Sequence, residues 1–247
     1  MTQPNDQKNN QPLEQAPEPA YLRIWDLPVR IFHWLLVILF AAAYITHLLG
    51  TDYFIYHRWS GYAMLVLVSF RILWGFVGSY HALFSNFVRN PIATIKYAVS
   101  VLKKTDQHHA GHNPLGALMV IALLLGLIMQ AVTGLFTNDE IFNLGPLYAY
   151  VSDELSLSLT SLHRQLYYWI LGAVILHIAA VLIHQFLKRD NIISAMFTGK
   201  KAAKGLENEK SISSSKLWLA IVLIVVLSLL LAWVVINAPE VVSELDY

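Results

Sequence analysis

The sequence predicts an all-α membrane protein: a four-helix transmembrane bundle plus one additional C-terminal transmembrane helix. Three observations lead there. First, 56% of the 247 residues are hydrophobic and only 13% are charged, with a mean hydropathy of +0.51. A soluble domain carries about 25% charge. Second, five stretches are long and apolar enough to cross a hydrocarbon core of about 30 Å, which takes about 20 helical residues. Third, the charges segregate into connections that are basic and connections that are acidic, as membrane topology requires.

Along the chain, residues 1–20 are polar, rich in Pro, Gln and Asn, and lack an apolar core. They read as a disordered tail and not as a cleavable signal peptide. The spans are expected at 28–49, 57–77, 114–136, 162–187 and 217–236. Between the second and third, residues 86–104 alternate apolar with basic side chains behind Pro91, a permitted early helical position. That stretch reads as an amphipathic helix in the membrane interface. The polar run 199–215 reads as a flexible linker. The expected organisation is a core over 21–202, a linker over 203–216, a last helix over 217–237 and an external tail over 238–247.

Basic residues orient the spans. The 78–111 connection holds Arg89, Lys96, Lys103 and Lys104 against Asp106 alone. The 188–216 connection holds Lys188, Arg189, Lys200, Lys201, Lys204, Lys210 and Lys216 against Asp190, Glu207 and Glu209. The 137–161 loop carries Asp139, Glu140, Asp153 and Glu154 with no Lys or Arg, and the tail carries Glu240, Glu244 and Asp246. The positive-inside rule then places the N-terminus in the cytoplasm and the C-terminus outside. The acidic loop suits electrostatic docking of a basic partner, and it equally satisfies the topology rule alone. No nucleic-acid partner is expected.

The histidines carry the chemistry. Cysteine is absent, which excludes disulfides, iron–sulfur ligation and covalent c-type haem attachment. His163 and His177 stand fourteen residues apart in one apolar stretch. In a helix they are separated by about 21 Å and leave faces within about 40° of each other. With the orientation above, His33 shares a cytoplasmic-side depth with His177, and His57 shares an external-side depth with His163. Each pair matches two axial ligands to one haem iron, leaving no open position for oxygen chemistry. A packing role, a metal ion or a proton path are the competing uses of buried histidines. Arg71 lies fourteen residues after His57, where it either meets a haem propionate or snorkels to the surface. Gly61, Gly116, Gly126 and Gly172 admit either a flat porphyrin or a close helix. His47 reaches the outer level and competes geometrically with His57. His112, ahead of the third span, suits a propionate or a helix cap. His184 reads as interfacial, with a quinone-head or propionate contact in reach, and His108 and His109 read as solvated.

The segment Ile24-Trp25-Asp26-Leu27-Pro28-Val29-Arg30-Ile31-Phe32-His33-Trp34-Leu35 resembles the opening of the prokaryotic cytochrome b561 and nickel–iron-hydrogenase b-type cytochrome family. So do residues 70–79 (FRILWGFVGS), His112-Asn113-Pro114-Leu115-Gly116, Leu176-His177-Ile178 and residues 191–200 (NIISAMFTGK). The resemblance covers about 21–202. It implies a four-helix core holding two b haems on His33, His57, His163 and His177, with His47 outside the ligand set. It also implies electron transfer across a bacterial cytoplasmic membrane between the quinone pool and a partner at the outer face. That partner is a hydrogenase in some members and a soluble c-type cytochrome in others. A comparatively short core and a separate last helix depart from the hydrogenase form, so a c-type cytochrome is the expected partner. A haem-free anchor or proton-conducting protein is the rival of another class.

Overall fold

The structure, a computed structural model, describes residues 21–103, 105, 109–141, 143–203, 206 and 210–239. Expectations for 1–20 and 240–247, and for Lys104, Asp106, His108, Lys204, Glu207 and Glu209, lie outside the described residues. Five helices are long and apolar enough to cross a membrane, as predicted. They are α1 (Leu27–Leu48), α2 (Phe54–Val77), α5 (Pro114–Gly134), α6 (Asp153–Leu182) and α8 (Leu217–Ile236). Shorter helices are α3 (Phe84–Phe87), α4 (Pro91–Leu102) and α7 (Ile192–Thr198). α4 falls within the stretch read as an interfacial helix, capped by Asn90, whose side chain accepts from Ala93 N at 2.7 Å.

α2 is the centre of the bundle. It packs against α1, α5 and α8, while α5 also packs against α6. Its inward face buries Met64, Leu67, Val68, Phe70 and Trp74. The other spans expose most of their apolar surface, as lipid-facing helices do.

Three expectations need correction. The fourth span begins at Asp153, nine residues early, because Ser152 caps it and Asp153 and Glu154 sit in its first turn beside the positive end of the helix dipole. Ser156 and Thr160 are buried within its otherwise mostly exposed first turns, and hydropathy hides them. Ser156 donates to Phe136 O at 2.7 Å, and Thr160 accepts from Asn138 N at 2.9 Å. The stretch read as a linker is anchored at several of its described residues. Strand β2 (Lys200–Ala202) pairs antiparallel with β1 (Tyr21–Arg23), Ile212 N donates to Arg23 O at 2.9 Å, and Leu206 and Ile212 are buried. Two isolated apolar residues and strand pairing outweigh the polar composition. The last helix is not separate. The Lys216 ammonium donates to Val77 O at 2.9 Å and Gly78 O at 2.7 Å, capping the C-terminus of α2 and docking α8 beside it.

Candidate functional site

The bundle has an acidic end, with Asp139, Glu140, Asp153 and Glu154, and a basic end, with the described Lys and Arg of 89–103 and 188–216. At the acidic end the rings of His57 and His163 stand 6.3 Å apart with planes at 80°. His57 Nδ1 donates to Ala43 O at 2.8 Å, and His163 Nδ1 donates to Gln130 O at 2.9 Å. A ring that donates from Nδ1 carries its lone pair on Nε2, the ligating nitrogen; on His163 that lone pair accepts here from the Gln130 amide. α5 cradles His163 with one face. Thr133 Oγ1 lies 3.2 Å from its Nδ1, and a Cβ on Gly134 would lie 3.0 Å from its Cε1. The Gln130 amide nitrogen lies 3.1 Å from His163 Nε2, and its Oε1 is buried without a partner. His163 therefore sits in the third turn of α6 and does not open the span. His47 is exposed, its ring 5.8 Å from that of His57.

At the basic end, His33 and His177 both lie close to His112. The His112 ring packs 4.8 Å from Trp25 and 5.0 Å from Phe87. Burial, then the Arg71 charge, then His177, His33 and His81 lower its pKa to about 3. The helix cap at this corner belongs to its neighbour Asn113, which accepts from Gly116 N at 2.7 Å. His33 Nδ1 is buried without a partner. Arg71 is 3% exposed, so snorkelling is ruled out. Its guanidinium donates to Ala82 O at 3.3 Å and lies over Phe84 and Phe87, with Asp26 as the nearby anion.

Three polar residues at these sites were not singled out from the sequence. Asp26, 1% exposed, accepts from Val29 N at 2.7 Å, from Trp74 Nε1 at 3.0 Å and from the Ser79 hydroxyl. Its position two residues before Pro28 is an N-cap signal. Gln130 is the carboxamide in a span otherwise apolar but for Thr133, a signal of its own. His81 is buried, 2.6 Å from Lys210 O, and nothing in its sequence surroundings marked it. The glycines divide. A Cβ on Gly126 would meet Ile170 at 3.2 Å, which is helix packing, and one on Gly116 would meet its own cap at 3.3 Å. Cβ atoms on Gly61 and Gly172 would meet nothing within 4 Å. His184 lies in a π-helical turn (Ile183–Leu187), 4.0 Å from Asp190, which also pairs with Lys201 at 2.9 Å. His109 is not simply solvated, since its ring packs edge-on 5.3 Å from Tyr97.

Residues 24–199 match the family profile described as prokaryotic cytochrome b561. The chain belongs to this family. Curated relatives of this cytochrome b561 chain share low but extended identity. A probable Ni/Fe-hydrogenase B-type cytochrome subunit of Rhodobacter capsulatus is 27% identical over 235 residues, covering 78% of this chain and 86% of that protein. The probable Ni/Fe-hydrogenase 1 B-type subunit of Escherichia coli (strain K12) is 24% identical, covering 73% and 91%. The Rhizobium leguminosarum bv. viciae counterpart is 24% identical, covering 79% and 95%. The protein is thus a multi-pass bacterial membrane b-type cytochrome of electron transfer.

The family implies haem b, and the residues present fit one. Two imidazole–metal bonds of about 2 Å, plus about 1 Å from each nitrogen to its ring centre, span about 6 Å. The observed separation of 6.3 Å matches, with both Nδ1 atoms held by backbone carbonyls. The open surfaces at Gly61 and Gly172 and the unpartnered His33 nitrogen agree.

Proposed function

We propose that this cytochrome holds two b haems, His57 and His163 at the acidic end and His33 and His177 at the basic end. It carries electrons between the quinone pool and a redox protein outside the membrane. The observation that carries the reading is the His57–His163 pair, spaced and tautomerically fixed for one metal between them. The fourteen-residue step from His163 to His177 then sets a second level about 21 Å along the same helix. The segregation of charge supports a cytoplasmic N-terminus and basic end, with the acidic end facing the periplasm.

Haem, when bound, supplies reversible one-electron iron chemistry. The protein's part is to hold four imidazoles, those of His57 and His163 with Nδ1 fixed on backbone carbonyls, exclude water with apolar helices and neutralise nearby anions. Arg71 and His112 sit where a propionate of the basic-end haem is to be met, with Asp26 balancing the arginine charge. For the outer partner, the names of the relatives favour a Ni/Fe-hydrogenase, and the docked α8 removes one of the two departures that argued against one. A c-type cytochrome is the second reading, favoured by the acidic loop.

The test is a reduced-minus-oxidised visible spectrum with haem-to-protein stoichiometry. The expected result is two b haems per chain, one lost in His163→Ala and the other in His177→Ala. Absence of b-type absorption after haem-replete expression overturns the reading. Equal loss of both haems in either folded variant overturns the ligand pairing. Hydrogen-driven reduction in the presence of the cognate hydrogenase, against reduction by a c-type cytochrome alone, separates the partners.

A further inference from the structure

Among the described residues, nothing covers the outward face of α4, and that face is amphipathic along its length. Ile92, Ile95, Val99 and Leu102 recur at i, i+3, i+7 and i+10, so they share an arc of about 80° on a helix of 3.6 residues per turn. All four are exposed, Leu102 at 84%. Lys96 and Lys103 fall within about 40° of Ile92, on one flank of the stripe, and Arg89 stands just ahead of the cap at Asn90; all three are exposed. The other side of the helix is occupied. α4 packs against α5, and Ala93, Thr94, Tyr97, Ala98 and Val101 are half-buried.

Water, a second copy of the chain and a lipid surface are the candidate neighbours of this face. In water, four aligned large apolar side chains would stay hydrated, a patch of the kind that marks an interaction site. Charge disfavours a second copy. No Asp or Glu occurs in 84–105, so two such faces would bring like charges together with nothing to pair them. The lipid surface fits on three counts. α4 follows the end of α2 at Val77 and precedes α5 at Pro114, so it lies at the level where the spans leave the membrane. Its twelve residues rise about 18 Å, too short to cross about 30 Å of hydrocarbon but enough to lie along its boundary. Its charges are all cationic, the sign that anionic headgroups attract.

We propose that α4 docks on the anionic phospholipid surface at the basic end, its stripe sunk to the acyl-chain boundary and Arg89, Lys96 and Lys103 on phosphate groups. The lysine stems suit this position, since their methylenes run along apolar surface while the ammonium reaches the headgroups. Apolar area supplies part of the hold, and charge supplies the selectivity for phosphatidylglycerol over a zwitterionic lipid. The docked helix also fixes the chain that enters α5. The Tyr97 ring packs edge-on 5.3 Å from His109, which stands three residues before His112. This anchorage depends neither on the haem reading nor on which protein meets the acidic end.

The experiment uses holoprotein in nanodiscs of mixed phosphatidylcholine and phosphatidylglycerol. The chain has no cysteine, so Ile95→Cys and Val99→Cys each carry a single spin label. The expected result is more frequent collision with oxygen, which concentrates in hydrocarbon, than with a water-soluble nickel chelate. An excess of nickel collisions at both positions puts the stripe in water and overturns the proposal. Low collision with both reagents puts protein over the stripe, a second copy included, and overturns it equally. Native mass spectrometry of the released protein reads the ratio of phosphatidylglycerol to phosphatidylcholine that stays bound. Lys96→Gln should lower that ratio by up to about 5-fold, the worth of one lysine at an anionic surface, and Lys96→Gln with Lys103→Gln should lower it further. Both lysines are exposed and glutamine is as good a helix former, so the visible haem band should not change. A wild type without preference for phosphatidylglycerol, or a double variant with the wild-type ratio, overturns the anionic surface as the partner.

Discussion

Removing the Asp26 carboxylate tests how the basic end is built. Asp26→Ala deletes the N-cap of α1, where the Val29 N–H is accepted at 2.7 Å, at about 1 kcal/mol. It also leaves the Trp74 indole N–H, now bonded at 3.0 Å, without its acceptor. Trp74 is fully buried, so that orphan costs about 1–3 kcal/mol. The Ser79 hydroxyl can turn to another acceptor, and Arg71 loses its nearby anion, so the sum is about 3–5 kcal/mol. For a chain of this size that lowers the apparent Tm by about 10 °C. The assay is thermal melting of detergent-solubilised protein, followed by circular dichroism and by the visible haem band. Asp26→Asn keeps the capping oxygen and sets an amide against the indole, so it should lie between wild type and Asp26→Ala. In a Trp74→Phe background the orphan no longer exists, and Asp26→Ala should cost about 1–3 kcal/mol less. A loss below about 3 °C for Asp26→Ala, or the same loss with and without Trp74, refutes this account.

Other substitutions probe the remaining corners. Gly134→Ala puts a Cβ 3.0 Å from the His163 ring; the expected outcome is loss of one haem per chain, measured by pyridine haemochrome, with the other retained. Lys216→Met removes two ammonium–carbonyl bonds to the end of α2 and should cost about 1–2 kcal/mol, since the group is partly exposed; limited proteolysis before α8 reads the undocking. His112 has a folded-state pKa of about 3 against 6.5 unfolded. The unfolded chain therefore binds the extra proton between those values. Stability present above pH 6.5 should fall by up to about 1.4 kcal/mol per pH unit as pH drops toward 3. His112→Phe should flatten that slope in melts taken at pH 7 and pH 5.

Much of this protein is legible one residue at a time. The five spans follow from hydropathy, and the caps at Asn90 and Asn113 from an Asn-Pro signal that needs no tertiary partner. The depths of His33, His57, His163 and His177 follow from helical rise. The start of α6 was not legible, because Ser156 and Thr160 are polar residues whose burial depends on the backbone of 136–138 across the loop. Nor was the course of 200–216, where Ile212 and Lys210 are held by Arg23 and His81, almost two hundred residues apart for the first and well over one hundred for the second.

The sequence by itself determined that the chain has five helices long and apolar enough to cross a membrane and that His163 and His177 lie about 21 Å apart along one of them, because span length and helical rise are local quantities. Only the tertiary structure decided which groups meet. It turned the His57 and His163 rings toward each other and fastened each by a carbonyl from another helix. It buried Arg71 between Asp26 and two phenylalanines, and docked α8 through one lysine on α2. Spacing along a helix fixes depth and face, but packing between helices decides orientation, and ligation depends on orientation.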